Sequence, residues 1–556
     1  MPPELPKRRQ PTLHGAIRAV SGVTLLSRVG GLIREVIVSR IFGDTALGST
    51  FAAAFAIPNL FRRLFGEGAF SAAFIPAYTE THERSAEAAD KLASLTLGIL
   101  GVITCALTIL AEVVLLLVLL LGTHAPEREL MLKLVMVMLP FMPAICTAAI
   151  LAGMLQVHGR FGPASSGPLI LNTFIAVFGA YIILTDTQAG PGVAYVLGAA
   201  TVASGFSQCF WFVRLLRPHV KWTIDYRSAV PKARLMLRRF VPVAIGLGTL
   251  QLNAFIDMLI ATYTIWAGPT ILGVVYPLDD KSNIILTASQ RLYQFPLGVF
   301  GIAVATAIFP MLSRHERDRP MFMDTLRRGI RLSLFIGVPA SVGLALVRSD
   351  ITYVLYSGGT SGFSSDGVVR AASVVLAYAP GIWAYSLNHL LARVFYALGD
   401  TRTPMMVSLW MVGFNMLLNV SLIWFAKEAG LAWATTITAI LQVGVLGVLA
   451  KRRLSLGAAA VDAGMTSDGS SMREVLPSRA QLFDHQTWLS IFKTVMISAL
   501  MALCILVLGW ILPPPVDWTT HAASLALSAV TGIAVFAGLA VITRAPELGL
   551  LLRRGR

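Results

Sequence analysis

The feature that most limits how this chain can fold is the recurrence of long apolar stretches along its 556 residues. Crossing a bilayer core takes roughly 20 apolar residues of α-helix. In hydrocarbon every backbone polar group needs an internal partner, so such stretches are read as helices. Fourteen spans fit that ruler, near 16–43, 49–78, 92–121, 130–157, 165–185, 192–216, 238–266, 283–313, 326–347, 368–398, 404–426, 430–450, 488–512 and 522–543. The first two carry several charges and are admitted on length and flanks. Composition points the same way: 56% of residues are apolar and only 13% charged, where an ordinary soluble domain is about a quarter charged. Such a chain cannot cover a water-facing surface. Secreted, fibrous, disordered and cytosolic classes are excluded, and an all-α polytopic membrane protein is expected.

Basic residues collect in cytoplasmic loops, which tests the span count. With the N-terminus inside, the loops assigned to the cytoplasm hold 30 Lys and Arg and the outside loops hold 4. Both termini are therefore expected in the cytoplasm. The net charge of +16 has the same meaning, an attraction to anionic lipid. No basic run is interleaved with aromatics, so no nucleic acid is expected as a partner. The four cysteines, Cys105, Cys146, Cys209 and Cys504, lie in apolar stretches without metal-ligand spacing. The polar start lacks the short apolar core of a signal peptide.

Two turn motifs repeat at nearly equal offsets. Phe74-Ile75-Pro76 and Ile308-Phe309-Pro310 are 234 apart, and Pro163 and Pro404, each closing a Gly-containing turn, are 241 apart. The chain thus divides into a tail (1–15), a first six-helix lobe (16–216), a basic linker (217–237), a second six-helix lobe (238–450), a polar linker (451–487), two further helices (488–543) and a tail (544–556). Parallel repeats of this kind place a transport site centrally, between halves.

An ionisable group at the bilayer centre costs about 2.5–3.5 kcal/mol on insertion scales and is normally paired or functional. The first span carries Arg28, Arg34 and Glu35. Arg28 and Glu35, seven apart, share a helix face, whereas Arg34 points elsewhere unless Gly30-Gly31 bends the helix. The second span carries Arg62, Arg63 and Glu67 just after Pro58, which should kink it. Arg63 and Glu67 can pair at a spacing of four. Arg291 opens the eighth span, shortly before Pro296. Arginines near kinks with few carboxylates point to a cationic cavity, and the guanidinium fork suits phosphate. The alternative is snorkelling of these arginines toward a helix end.

A second polar set comprises Asp257, Asn415, Asn419 and Thr435. Four oxygen-bearing groups suit a hard cation. The same residue types serve as interhelical hydrogen-bonding groups, which spacing alone favours. Metalloprotease, phosphate-loop and hydrolase-elbow motifs do not occur, so a transporter is expected rather than an enzyme.

SRVGGLIREVIVSRIFG at 27–43, FAIPNLFRRLFGEGAFSAAFIPAY at 55–78, RFGPASSGPLILN at 160–172, RLYQFPLGVFGIAVATAIFPMLS at 291–313 and FYALGDTRTP at 395–404 resemble the MurJ (MviN) lipid II flippase family. That family lies in the superfamily that includes MATE-type exporters. The resemblance implies two six-helix lobes around a central cavity plus two C-terminal helices. It implies movement of the undecaprenyl-pyrophosphate-linked peptidoglycan precursor, lipid II, from the inner to the outer leaflet of the bacterial inner membrane. By position, Ser27, Arg28, Arg34, Glu35, Arg62, Arg63, Glu67 and Arg291 would line the cavity, the arginines on pyrophosphate and the acids balancing them. A sodium site of some members maps to Asp257, Asn415, Asn419 and Thr435. Ser49 and Gln294 stand where acids are common, and Asn419 replaces a carboxylate. The loop 264–283 is longer than usual.

The expected function is lipid II flipping by alternating access, without a bound cofactor, reset by sodium or membrane potential. The bilayer and cell-wall synthesis proteins are the expected partners. The rival reading is an exporter of another polyprenyl-linked oligosaccharide, or of drugs, with the same fold. A drug exporter would carry an acidic or aromatic cavity.

Overall fold

The structure, a computed structural model, describes residues 13–66, 69–316, 318–358, 361–464 and 482–552. Glu67 lies outside the described residues, as do the side chains of Arg62 and Arg63. Among the described residues the regular structure is helical apart from one small hairpin, Thr270–Ile271 against Val274–Val275. Ten helices among the described residues are long and apolar enough to cross a membrane. The helix Leu13–Phe42 is not among them, because its charges lower its hydropathy.

The chain forms two compact units, 1–284 with 358–363, and 285–357 with 364–556. The first holds α1 (Leu13–Phe42), α2 (Ala46–Gly66), α3 (Ala69–Arg84), α4 (Ala86–Leu121), α5 (Pro126–Met138), α6 (Phe141–Val157), α7 (Phe161–Ser165), α8 (Gly167–Leu184), α9 (Pro191–Leu216), α10 (Val230–Ala261) and α11 (Tyr263–Trp266). Helix α4 shows how these helices satisfy themselves in lipid. Ser85 caps it by accepting from the Ala88 amide, and Thr96, Thr104 and Thr108 each donate to the carbonyl four residues back. Pro140 separates α5 from α6, whose Phe141, Ile145, Cys146, Leu151 and Met154 lie in the unit's core. Glycines bring helices close: a β-carbon at Gly179 would stand 2.3 Å from the Ile37 side chain, so α8 packs directly on α1.

Helix α10 belongs to this first unit, whereas the duplication assigns its span to the second lobe. It packs against α2, α3 and α4, with Ala229 and Ala233 against Leu92 and Leu95. It also starts at Val230, within the segment read as a linker.

The second unit takes most of α12 (Ser282–Pro296), then α13 (Ile302–Arg314), α14 (Arg319–Leu346), α15 (Arg348–Tyr356), α16 (Ser365–Tyr378), α17 (Ile382–Ala397), α18 (Arg402–Gly464), α19 (His485–Ile511), α20 (Trp518–Ile542) and α21 (Pro546–Leu552). Pro296 breaks α12 as its ring chemistry demands, and a π-helical turn, Leu297–Gly301, leads into α13. Helix α18 reverses at Lys427, where φ is 47° and ψ −130°, so it is two helices in succession. The second of them runs to Gly464, into the segment read as a polar linker. Helices α19 and α20 pack on each other, and α19 on α14. A buried ion pair from Arg331 to Glu547 at 3.3 Å fixes the start of α21 to α14, and Ser490 donates to the same carboxylate at 2.8 Å.

Candidate functional site

The first-unit site is built on α1. Its Arg34 and Glu35 are both buried, at 8% and 5% exposure, and a buried charge persists only when compensated. The Arg34 guanidinium donates to Glu35 Oε2 at 3.3 Å and to Asn172 Oδ1 on α8, also at 3.3 Å. Its carbon lies 5.0 Å from the centre of the Phe55 ring on α2, a cation–π distance. The Asn172 amide in turn donates to the Ser27 carbonyl at 3.0 Å. Arg34, Glu35, Asn172 and Ser27 thus form one network across two helices. Gly30 and Gly31 face Asn172, and a β-carbon on either would stand 3.5–3.6 Å from it. They give room for the carboxamide rather than a break, for α1 is continuous through them.

Ser27 and Arg28 are half-buried on the same helix. Arg291 sits half-buried on α12 and donates to Gln294 Oε1 at 3.4 Å. The residue found in place of a common acid is therefore an Arg291 partner, and a neutral one. Behind it Tyr293 stacks on Tyr378 and Tyr385, with ring centres 4.4 and 5.3 Å apart.

The second polar set resolves differently. On α18 the Asn419 amide donates to Asn415 Oδ1 at 3.0 Å, and Asn415 donates to Thr438 Oγ1 at 3.4 Å. Thr435 donates along its own helix to the Leu431 carbonyl. Asp257, 3% exposed, is on α10 of the first unit. Carboxamides engaged with each other and with Thr438 are interhelical glue. Among the described residues no group of three or more His, Cys, Asp or Glu could hold a metal ion.

Three features escaped the sequence reading. Asn172 is the hub of the Arg34 network, and its one sequence signal is a carboxamide inside an apolar helix. Arg393 lies within α17, with its buried Nη1 unpartnered among the described residues. Finally, His82 on α3, His158 after α6 and His219 after α9 come together: His82 meets His158 edge to face at 4.9 Å between ring centres, and His158 stacks on His219 at 5.0 Å. The Tyr78 hydroxyl lies 3.0 Å from His158 Nε2. Burial holds the His158 imidazole down at about 4, with the charges of His82, His219 and Arg160 adding to the effect.

A family model described as lipid II flippase MurJ matches residues 38–525. A probable lipid II flippase MurJ of Vibrio cholerae is 31% identical over 446 residues, 77% of this chain and 81% of the relative. Its namesake in Rickettsia prowazekii is 28% identical over 436 residues, covering 76% and 81%. Among solved structures, lipid II flippase MurJ in an inward closed conformation superposes with a TM-score of 0.72 at 22% identity, covering 94% of this chain and 98% of that one. An inward-facing multidrug resistance MATE transporter superposes at 0.62 with 14% identity, covering 82% and 100%. The structural likenesses establish the fold, and the family match spanning most of the sequence settles membership: the chain belongs to the MurJ lipid II flippase family.

Proposed function

We propose that this chain is a lipid II flippase of the bacterial inner membrane, a multi-pass transporter rather than an enzyme. The observation that carries the reading is the family match over residues 38–525. Arginines inside helices of a membrane protein supply the chemistry. Residues 27–35 carry a formal charge of +1 from Arg28, Arg34 and Glu35. Arg34, engaged by Glu35 and Asn172, positions the helix, and Arg28 on the same helix offers its guanidinium fork to the pyrophosphate. Arg62 and Arg291 add donors, while Arg63 with Glu67 shapes the second span. Ser27 adjoins Arg28.

In this reading the site opens first to the cytoplasm, where the arginine forks bind the pyrophosphate. It then opens outward and releases the headgroup while the polyprenyl tail stays in lipid. Membrane potential or an ion gradient resets the cycle; a unit charge crossing 100 mV changes the free energy by about 2.3 kcal/mol. The reading places fourteen crossings in the chain, both termini in the cytoplasm, and cell-wall synthesis proteins as partners on either side of the transport step. Sodium held by Asp257, Asn415, Asn419 and Thr435 is the coupling alternative. The test is complementation: after depletion of the resident flippase, this chain should restore lipid II exposure on the outer leaflet. Failure of a well-expressed, membrane-inserted chain to restore it would overturn the reading.

A further inference from the structure

From Met258 to Leu278 the chain carries no charged residue. The middle of that stretch folds into the Thr270–Ile271 and Val274–Val275 hairpin, whose two turn residues both have positive φ, Leu272 at 49° and Gly273 at 82°. A two-residue turn of that kind favours Asn-Gly or Gly-Gly. A leucine with its β-carbon is strained there. Strain of this sort persists where the surroundings over-determine it and often marks function. The strained residue is also the most exposed: Leu272 is 100% exposed, Val275 74% and Val274 55%. A lone two-stranded hairpin is marginal in water, and a row of apolar side chains along its edges would aggregate there.

The base of the hairpin is held to the end of α10. The Tyr276 hydroxyl donates to the Ile260 carbonyl and the Trp266 indole to the Leu259 carbonyl, each at 3.0 Å. These are carbonyls of the last turn of α10, which have no partner within the helix. Tyr263 lies against Tyr276 with ring centres 4.4 Å apart and against Trp266 at 5.0 Å. Tyr and Trp at a helix end mark the depth where hydrocarbon meets headgroups. These contacts fix an uncharged apolar tip beside that depth.

We propose that the Thr270–Val275 hairpin is a lipid-inserted finger. Leu272, Val274 and Val275 enter the outer leaflet and anchor the end of α10 at the interface. The leaflet assignment rests on the topology proposed above. The ligand is the bilayer itself, recognised by apolar contact and aromatic anchoring without charge.

The test uses the full chain, with its four cysteines replaced, reconstituted in phosphatidylcholine vesicles. An environment-sensitive fluorophore is attached at Leu272→Cys or, separately, at Val275→Cys. Quenching by lipids with nitroxide near the top of the acyl chain should exceed quenching by aqueous iodide at least threefold at both positions. Leu272→Asn relieves the strained turn and leaves the fold intact. With the probe at 275, it should reduce lipid quenching at least twofold and raise iodide quenching, at an unfolding temperature no lower than that of the unaltered chain. Free access of iodide without lipid quenching would overturn the proposal. So would protection from both quenchers, which would mean a protein covers the tip, or an Asn variant that keeps full lipid contact. A failed topology shows itself separately, by labelling of Ser470→Cys with an impermeant thiol reagent in intact cells.

Discussion

Asn172 bridges two helices at one point: it accepts from the Arg34 guanidinium at 3.3 Å and donates to the Ser27 carbonyl at 3.0 Å. Arg34 and Asn172 are 138 positions apart, and the carboxamide supplies both halves of the bridge. Removing one partner of a buried charge network leaves the others desolvated without compensation, at a cost of about 3–5 kcal/mol.

Arg34→Ala should therefore lower the unfolding temperature markedly, because Glu35 is left buried. Asn172→Leu should cost less, since Arg34 retains Glu35 and the Phe55 ring. Thermal unfolding in detergent, measured beside lipid II binding, separates the two roles. An Arg34→Ala protein of full stability and lost binding would return Arg34 to the pyrophosphate ligands.

The converse is expected of Arg28, Arg62 and Arg291. Each charge-assisted hydrogen bond to phosphate contributes about 1.5–3 kcal/mol, so each alanine variant should bind lipid II tenfold or more weakly at near-normal expression. Lysine keeps the charge but loses the fork, and should restore binding only in part. Full transport by all three well-expressed alanine variants would sink the pyrophosphate model.

The sequence was legible where one residue type enforces one outcome. Apolar length announced the long helices, because a bilayer leaves the backbone no other partner. Pro296 announced the break that the structure resolves as a π-helical turn, and the Lys427-Glu428 step between apolar stretches announced the reversal of α18. Contacts between distant positions were not legible. Nothing near Arg34 points to Asn172, and the grouping of α10 with the first unit depends on packing against α2, α3 and α4. The loop after α10 hid its hairpin because Leu-Gly contradicts the Asn-Gly signature of such turns.

If sodium drives the cycle, Asp257 supplies the formal charge that a bound ion sees, since Asn415, Asn419 and Thr435 are neutral. Asp257→Asn should then abolish the dependence of transport on sodium. The engaged carboxamides of α18 lead to the opposite expectation: transport by the unaltered chain in vesicles should not change when choline replaces sodium. A strong sodium dependence, lost in Asp257→Asn, would refute that expectation and establish the cation site.

The histidine cluster sets a pH dependence whose sign is fixed by His158. Its imidazole ordinarily titrates near 6.5 and is held down at about 4 by burial and by His82, His219 and Arg160. The folded protein therefore keeps it neutral in a range where the unfolded chain takes up a proton. Lowering the pH favours whichever side binds more protons, so stability falls with pH wherever that side is the unfolded one. The contribution of neutral His158 is thus fully present above pH 6.5 and is lost progressively as pH falls toward 4. The groups facing it are Tyr78 and His82 from α3, Arg160 from its own turn and His219 from beyond α9. Gln at position 158 can still pair with the Tyr78 hydroxyl but does not titrate. Unfolding temperatures between pH 7.5 and 4.5 should fall less steeply for His158→Gln than for the unaltered chain, the difference opening below 6.5. Carboxylates titrating elsewhere affect both proteins alike, so identical pH profiles would show that His158 is not held neutral by the fold.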